Sequence, residues 1–358
     1  MKPIEQQLLA AIRRHPMANQ QQLADELGIS RESVAAYISR LMKAGQILGK
    51  GYLLPEQRHI VVLGGANVDI SGRCHSSFNA GDSNPGSIHQ SAGGVGRNIA
   101  ENLARLGHEV SLVTLLGRDT QGDWLLQQMQ QVGIQTGGVL RDAASATGTY
   151  LALNNVEGEL VAAIAAMDIA NALTPERLKA VQSLLVSADV LVVEANVPEA
   201  TLGWLATLPL RGMLYADAVS TAKAPRLKPL MAKLTGLKVN LSEARALLGD
   251  VEANAEKVSR DILASGVQQL MLSLGSKGLA RVDADGKVQL PGYAVEIIND
   301  TGAGDALLAG MIHAQCRGFD AHQQTTFALA CAAITLSSEH ANAPQLTEQQ
   351  VLEWITQH

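Results

Sequence analysis

The residues best suited to chemistry lie at positions 297–310, in the stretch IINDTGAGDALLAG. This stretch reads as a short apolar strand, a glycine-rich turn and an apolar helix. Gly302 and Gly304 permit a tight turn in which successive amide N–H groups at the helix start face an anion, which predicts a phosphate seat. A carboxylate at Asp305 would repel phosphate and is therefore costly at this position. Its presence is explained if it takes a proton from a nucleophile, which would make it a catalytic base. The alternative is that Asp305 only caps the helix.

Two earlier motifs also place polar groups beside glycines. GGANVD ends at Asp69, whose carboxylate at the carboxyl end of a sheet could accept two hydroxyls of a polyol. A turn-stabilising role is the alternative. SAGGVGRN at residues 91–98 brings the backbone of Gly93 and Gly94 close to a substrate, and Asn98 supplies one donor and one acceptor. This second motif lacks the third glycine of a GxGxxG dinucleotide fingerprint.

Two motifs later in the chain are suited to a nucleotide and its metal ion. Asn240 and Glu243 are three residues apart at a helix start, so they share one face and could reach a phosphate-bound Mg²⁺ directly or through water. Glu243 could equally be a first-turn acid that stabilises the helix dipole. A predicted strand at residues 270–274 leads into GSKG at residues 275–278, a glycine loop suited to a nucleotide.

These motifs need a scaffold that brings the ends of several strands together. From residue 59 onward buried-strand runs alternate with helical patterns, and the runs are residues 60–63, 110–115, 190–193, 213–216, 237–239 and 270–274. They predict a three-layer α/β fold with a mostly parallel sheet, helices on both faces and the polar motifs along one edge. Alternating residues before Gly93 and at 149–153 predict strands that leave this sheet and form a small β lid.

The first 55 residues predict a separate small domain. Three short helices are indicated, with Asn19 and Ser30 as caps, Gly28 in the turn, and residues 46–54 as a hairpin wing. The pattern resembles a winged helix-turn-helix, whose third helix would present four outward residues to the DNA major groove: Arg31, Ser33, Tyr37 and Arg40. The alternative is a small helical domain that binds protein or dimerises.

Charge and composition limit the remaining possibilities. Residues 1–55 hold 7 lysines and arginines against 4 acidic residues, whereas the other residues hold 21 against 30, so a basic head precedes an acidic body. With 47% hydrophobic and 17% charged residues, the 358-residue chain predicts an ordinary α/β protein. No apolar run reaches membrane-spanning length and the N-terminus lacks a signal-peptide core, so we expect a cytoplasmic protein without membrane contact. Three widely spaced cysteines predict neither disulfides nor a zinc site.

Together the motifs resemble those of the ribokinase-like, or phosphofructokinase-B type, carbohydrate kinase family. The resemblance covers about residues 59–345 and depends on GGVGRN and DTGAGDALLAG, which are specific in combination. It implies that Asp305 deprotonates the accepting hydroxyl, while Gly302, Ala303 and Gly304 form an anion hole for the moving phosphoryl group. The other contacts that it implies are Asn240 and Glu243 near Mg²⁺ and phosphate, Ser273, Gly275 and Gly278 in the nucleotide loop, and Asp69, Gly93, Gly94 and Asn98 at the sugar hydroxyls.

Within the family, three stretches are most similar to the pseudouridine kinases: ANVDISG, residues 82–107 and DAVSTAK. The resemblance implies ATP and Mg²⁺ as cofactors, a nucleoside as acceptor, and a homodimer, because lids of family members often pair across a dimer. A monovalent cation such as K⁺ is a further expected cofactor. Asp300 is a departure, since the family usually has Thr or another small residue there. An extra carboxylate near the ATP phosphates is expected to alter cation binding and rate.

The sequence therefore predicts an ATP-dependent kinase that phosphorylates the 5′-hydroxyl of a nucleoside, pseudouridine before others, and that carries a DNA-binding head. One alternative is a kinase of the same family for another acceptor, such as inosine or ribose. Another is a transcription regulator whose kinase fold only senses a nucleoside or sugar. An intact Asp305 argues against a pure sensor, because sensing requires no base.

Overall fold

The computed structural model describes residues 3–14, 18–43, 46–47 and 58–358. The chain forms two compact units, Met1–Gln57 and Arg58–His358. The predicted wing at residues 46–54 lies outside the described residues, apart from Gln46 and Ile47. Among the residues described, no helix is long and apolar enough to span a membrane.

The first unit contains α1 (Pro3–Arg14), α2 (Gln20–Leu27) and α3 (Arg31–Lys43). Asn19 caps α2 in a capping box with Gln22, and Gly28 ends this helix with a φ of 65°, which glycine adopts without strain. Ser30 Oγ accepts a hydrogen bond from the Ser33 amide at 3.1 Å and so starts α3. The helices enclose an apolar core that includes Leu8, Ile12, Leu23, Val34, Ile38, Leu41 and Ile47. The three predicted helices and both predicted caps are confirmed.

The second unit, residues 58–358, is described throughout and contains two sheets. Its strands are β1 (His59–Leu63), β2 (Asn67–Cys74), β3 (Gly86–Gly93), β4 (Glu109–Gly117), β5 (Val139–Asp142), β6 (Thr149–Asn154), β7 (Leu160–Ala166), β8 (Val190–Glu194), β9 (Met213–Asp217), β10 (Gly236–Asn240), β11 (Gln269–Ser273), β12 (Leu279–Asp283) and β13 (Gly286–Leu290). Nine strands form the main sheet, in the order β13-β12-β11-β10-β9-β8-β1-β4-β5. All neighbours from β5 to β11 pair in parallel, and β12 and β13 extend one edge as an antiparallel hairpin.

Helices cover both faces of the main sheet. They are α4 (Val95–Arg105), α5 (Thr120–Gln131), α6 (Pro175–Leu178), α7 (Gln182–Ser187), α8 (Glu199–Thr207), α9 (Leu241–Leu248), α10 (Ala255–Ala264), α11 (Ala303–Cys316), α12 (Ala321–Leu336) and α13 (Glu348–Gln357). Because strand side chains alternate, Ile60 and Val62 of β1 pack with α4, α5, α11 and α12, whereas Val61 and Leu63 pack with α8, α9 and α10. This is the predicted three-layer α/β fold.

The predicted lid is a four-stranded sheet in the order β3-β2-β6-β7. Residues paired in register share a face, so Asp69 lies on the same face as Ser91 and Tyr150. The opposite face, which we call the outer lid face, carries apolar side chains at Ile70, Ile88, Leu151, Leu153 and Ile164. Three of these are unusually exposed: Ile88 at 77%, Leu151 at 43% and Ile164 at 65%.

One local prediction is wrong, and several elements were not predicted. The strand predicted before the glycine turn at 302 is absent: residues 291–300 form no strand, and Ile297 and Ile298 are 64% and 55% exposed. Asn299 instead forms an Asx turn, in which its Oδ1 accepts a hydrogen bond from the Thr301 amide at 2.9 Å. The predicted strand runs did not include β5 or the hairpin of β12 and β13, and α13, which packs through the buried Val351, was not predicted either.

Candidate active site

Asp305 lies in the first turn of α11, whose N-cap residue is Gly302 with a φ of 84°. No side chain among residues 58–358 caps this helix, so the amides of its first turn remain available to an anion. The Asp305 carboxylate is buried and accepts a hydrogen bond from Asn98 Nδ2 at 2.9 Å. Asp305 therefore does not cap the helix, which was the alternative that the sequence left open.

Asn98 is itself held in one orientation by a buried network on α4. Its Oδ1 accepts a hydrogen bond from Arg97 Nη1 at 2.9 Å, and its backbone carbonyl accepts one from Asn342 Nδ2 at 2.9 Å. Arg97 also donates to Asn342 Oδ1 and forms an ion pair with Glu101 on the next turn. With its oxygen committed to Arg97, Asn98 can only present its NH₂ group to Asp305.

Asp69 lies on β2, at the junction between the main sheet and the lid. Its Oδ1 accepts a hydrogen bond from Asn67 Nδ2 at 2.6 Å, and partial burial raises its pKa against the effects of Asn67 and Arg97. A side chain at Gly93 would collide with this carboxylate. Gly94 has a φ of 99°, and a Cβ there would lie 2.5 Å from the Gly65 carbonyl oxygen. The glycines are therefore needed where α4 meets the turn after β1.

Three charged residues that the motifs did not include stand in register on adjacent strands: two end their strands, and the third lies in the middle of β10. Glu194 of β8 pairs with Asp217 of β9, and Asp217 pairs with Lys238 of β10. Lys238 Nζ lies 3.0 Å from Asp217 Oδ2, and both side chains are largely buried. Glu194 accepts hydrogen bonds from the Gly65 and Asn196 amides, each at 2.6 Å. The available signal was a charged residue within or at the end of a mostly apolar strand, because such residues are rarely buried without a partner.

The electrostatic environment of Asp305 follows from these neighbours. Burial raises its pKa from a usual 3.8 to about 7, the Asp217 charge adds to the rise, and the Asn98 hydrogen bond and Lys238 oppose it. Burial likewise raises the pKa of Glu194 to about 7. Although burial by itself lowers the pKa of Lys238, the charges of Asp217, Asp305 and Glu243 raise it overall, so this lysine stays protonated.

Asn240 and Glu243 form the start of α9. Asn240 Oδ1 accepts a hydrogen bond from the Glu243 amide, and Glu243 Oε2 accepts one from the Asn240 amide, both at 2.8 Å. This is a capping box, so the helix-stabilising interpretation of Glu243 holds in this structure. Within residues 58–358 no hydrogen bond engages Glu243 Oε1, which leaves one carboxylate oxygen for a ligand.

The predicted nucleotide loop follows β11. Ser273 pairs in register with Asn240, so the two motifs are adjacent at the sheet edge. Gly275 and Gly278 flank a single 3₁₀ turn with φ values of 60° and 88°. A side chain at Gly278 would strike the backbone near Leu290, which explains a glycine at that position.

In the first unit, the predicted DNA-facing residues of α3 divide between two sides of the helix. At about 100° per residue, Ser33, Tyr37 and Arg40 fall within about 60° of one another, whereas Arg31 lies about 160° from Ser33. Arg40 is half-exposed, sits 4.6 Å above the Tyr37 ring and approaches Glu5 at 3.7 Å. Arg31 is exposed at the start of the helix.

A buried acid with a pKa near neutrality, uncapped helix amides and a protonated lysine can together receive an anion and take a proton from a hydroxyl. The fold and site thus define a phosphoryl-transfer enzyme of the α/β class. Residues 57–348 match the family model described as pfkB family carbohydrate kinase, and residues 1–47 match winged helix-turn-helix DNA-binding. The chain belongs to the pfkB family of carbohydrate kinases.

Individual relatives agree with this membership. The chain is 36% identical over 355 residues to the uncharacterized sugar kinase YeiI of Escherichia coli K12, covering 98% of both proteins. It is 34% identical over 307 residues to the pseudouridine kinase of the same organism, covering 84% of this chain and 97% of that one. The structure of a carbohydrate kinase from Agrobacterium tumefaciens, 32% identical, superposes with a TM-score of 0.76 over 84% of this chain and 97% of its own. The second unit is thus a sugar or nucleoside kinase, related to pseudouridine kinase.

The raised pKa of Asp305 predicts a specific dependence of stability on pH. Because the folded pKa of about 7 exceeds the usual 3.8, this group stabilises the fold at low pH, and the contribution is lost as pH rises through about 7. Asp305→Asn keeps the shape without the titration. Its unfolding free energy relative to wild type should therefore increase by about 2–4 kcal/mol between pH 5 and pH 8.

Equilibrium urea unfolding across that pH range measures this difference. The matched control is Asp300→Asn, which changes an exposed carboxylate in the preceding turn and should show no comparable trend. An Asp305→Asn difference that stays constant with pH would contradict the raised pKa.

Proposed function

We propose that the second unit transfers the γ-phosphoryl group of MgATP to the 5′-hydroxyl of a nucleoside, and that pseudouridine is the acceptor. The observation that carries this proposal is the buried Asp305, hydrogen-bonded to Asn98 beside the uncapped start of α11. The similarity to pseudouridine kinase at 34% identity supports the choice of acceptor. Within the family, the Asp69 carboxylate and the second N–H of Asn98 Nδ2 suit the hydroxyls of a ribose-bearing acceptor.

The residues present fit ATP and Mg²⁺. The free amides of α11 suit the phosphoryl group, and Gly304 leaves open the space into which Lys238 Nζ projects. Mg²⁺ commonly keeps several waters and takes few protein ligands, so Glu243 Oε1 and Asn240 are sufficient to hold it next to phosphates. When bound, Mg²⁺ would neutralise charge on the phosphates. Ser273, Gly275 and Gly278 would hold the nucleotide beside the motif that carries Glu243.

In the mechanism, Asp305 acts as the base. Asn98 fixes its carboxylate, and the pKa of about 7 lets it accept a proton from the acceptor hydroxyl near neutral pH. As the proton leaves, the hydroxyl oxygen bonds to phosphorus and the bond from phosphorus to the bridging oxygen of ADP breaks. Gly302, Ala303 and Gly304 supply amides to the phosphoryl oxygens in transit.

We assign acceptor binding to Asp69 and its neighbours, which lie on the side of Asp305 away from the proposed nucleotide loop. Asp69 accepts hydroxyl hydrogens, with Asn67 fixing its rotation. Gly93 leaves room for the Asp69 carboxylate, and Gly94 lets the backbone pack against the turn after β1. Asp300 is exposed just before the phosphate seat, where its carboxylate attracts cations. We assign to it an influence on a monovalent ion such as K⁺ near the nucleotide.

An ADP-release assay across pseudouridine, uridine, inosine, adenosine and ribose tests the acceptor. We expect the largest kcat/KM with pseudouridine and a product phosphorylated at the 5′ position by mass spectrometry. Asp305→Asn should lower kcat by at least about 1000-fold while the Kd for ATP stays within about threefold, because the base acts only in the transfer step. Asp69→Asn should instead raise KM for the acceptor by about tenfold or more.

Other outcomes of the same assay favour other functions. A highest kcat/KM with inosine or ribose would replace the acceptor and keep the reaction. No turnover with any acceptor would favour a regulator that only senses its ligand. An Asp305→Asn variant with near-normal kcat would remove the assigned base.

We further propose that the first unit binds DNA through Ser33, Tyr37 and Arg40, with Arg31 contacting phosphate from the helix start. The match of residues 1–47 to winged helix-turn-helix DNA-binding and the exposed Arg40 on this side of α3 support the proposal. Because its charge excess is modest, we expect few phosphate contacts and weak binding that is best measured at low salt.

Fluorescence anisotropy of the full chain with a labelled duplex from upstream of its own gene tests this proposal. Arg40→Ala should weaken binding about tenfold or more, as the loss of one base or phosphate contact does. The control is Arg260→Ala, an exposed arginine in the second unit, which should change nothing. Equal affinity of the Arg40 variant and wild type, or no duplex binding even at about 50 mM salt, would refute the assignment.

We also propose that two copies pair through the outer lid face, and that the enzyme acts in the cytoplasm. Isolated apolar side chains are common on surfaces, but Ile88, Leu151 and Ile164 share one face of one sheet, which marks an association surface. Its self-pairing suits the two-fold symmetry usual in homo-oligomers. The three free cysteines, Cys74, Cys316 and Cys331, are consistent with a reducing compartment.

Light scattering coupled to size exclusion tests the pairing. Wild type should elute as a dimer, and Ile88→Asp combined with Ile164→Asp should shift it to a monomer, because charges cannot be buried unpaired. Ile297→Asp, at an equally exposed isoleucine outside the lid, is the control. A monomeric wild type, or a dimer that survives the double substitution, would exclude this surface.

A further inference from the structure

The ion pair between Asp217 and Lys238 is built into the middle of the main sheet. The two residues are partners in the parallel pairing of β9 and β10, so their side chains leave the sheet on the same face. The Lys238 side chain is 12% exposed and that of Asp217 is 1% exposed, and Nζ lies 3.0 Å from Oδ2. A lysine at this depth is costly unless it is paired, so its position must be specified.

The ammonium of Lys238 is directed at the start of α11. A Cβ built on Gly304 would lie only 2.8 Å from Lys238 Nζ, so the absence of a side chain at Gly304 is what admits the ammonium. Asp305 and Glu243 are also within electrostatic reach of it. The ammonium therefore lies between the base, the amides of the phosphate seat and the acid assigned to the metal ion.

Asp217 is fixed on both of its oxygens. While Oδ2 faces Lys238, Oδ1 accepts a hydrogen bond from the Val219 amide at 2.7 Å. Val219 has a φ of 63°, which is strained for a β-branched residue and persists only where the surroundings hold it. The turn after β9 therefore prevents Asp217 from rotating away from the lysine.

We propose that Lys238 is a catalytic residue that neutralises the phosphoryl group as it crosses Gly304, and that Asp217 is the positioning residue that holds the ammonium there. This inference deepens the kinase function proposed above and depends on it. In the step, the phosphorus–oxygen bond to ADP breaks, the bond to the acceptor oxygen forms, and the proton moves to Asp305. Lys238 keeps its protons throughout and contributes charge alone.

The charge distribution of the site requires such a group. Glu194, Asp217, Glu243 and Asp305 are buried acids at the same edge of the sheet, and they would repel a triphosphate. Glu243 and Asn240 would hold Mg²⁺, whose charge would offset part of this repulsion, whereas Lys238 lies beside Gly304 on the side of Asp305. A fixed ammonium beside Gly304 stabilises the charge of the phosphoryl group during its transfer, and no protein group has to reorient for this.

Three variants separate a catalytic pair from a structural one: Lys238→Met, Asp217→Asn and the two combined. Each single variant leaves one buried charge unpaired, so both should lower the melting temperature. The combined variant removes both charges and should recover most of that loss. We expect kcat to remain about 100- to 1000-fold below wild type in all three, because the ammonium is missing or no longer held in place.

Two further measurements respond to charge rather than to folding. Without Lys238 the acid limb of the kcat/KM profile should move to higher pH by roughly half a unit or more, and without Asp217 it should move lower, since the two charges have opposite effects on Asp305. Calorimetry without acceptor should show that Lys238→Met weakens AMP-PNP about tenfold and ADP much less. Lys287→Met, an exposed lysine on β13, is the control in every assay.

The outcomes are distinct from those that test the kinase function. If wild type turns over no acceptor, the kinase proposal fails and this inference fails with it. If wild type is active and the combined variant has kcat within about threefold of it, the pair is structural and only this inference is overturned. The same conclusion follows if Lys238→Met leaves the ratio of AMP-PNP to ADP affinity unchanged.

Discussion

The rest of the site depends on one interaction, the hydrogen bond from the side-chain NH₂ group of Asn98 to the Asp305 carboxylate. An acid buried among other acids would normally stay protonated, and burial alone raises the Asp305 pKa strongly. The Asn98 donor and the Lys238 charge favour the ionised form enough to leave the pKa at about 7. Because Arg97 and Asn342 fix Asn98 from behind, the carboxylate has one orientation as well as a usable protonation equilibrium.

The pairing of the main sheet places a positive charge, that of Lys238, where the proposed phosphoryl group would enter. The strands β8, β9 and β10 pair in parallel, and their register places three charged residues side by side: Glu194, Asp217 and Lys238. A shift of one residue in β10 would turn Lys238 to the other face and away from Gly304. The charge pattern of the site is therefore set by strand register, which in turn is fixed by the apolar residues on both faces of these strands.

Local features of the site could be predicted from sequence, but long-range ones could not. The turn around Gly302, the helix carrying Asp305 and the lid strands follow from glycine placement and hydrophobic period. By contrast, Asn98 and Asp305 are 207 residues apart, and nothing in either segment specifies their contact. Lys238 was overlooked because its partner Asp217 lies on another strand, and the order of strands is a property of the whole fold. The strand predicted before residue 302 is wrong because Ile297 and Ile298 form an apolar pair in the sequence, although both are exposed in the structure.

The lid connects the proposed acceptor contacts to the surface of the molecule. β2 begins at Asn67, next to the candidate active site, and continues into the lid. Asp69 therefore belongs to the site and to the lid sheet. The same strand pairs with β3, which ends at Gly93, and with β6, which carries the exposed Leu151 on the outer lid face. Isolated small sheets are only marginally stable in water without a partner on an apolar face. Covering the outer lid face would therefore stabilise the strands that hold Asp69 and Gly93. Because these strands belong to one continuous hydrogen-bonded sheet, the stabilisation would also order the proposed acceptor pocket.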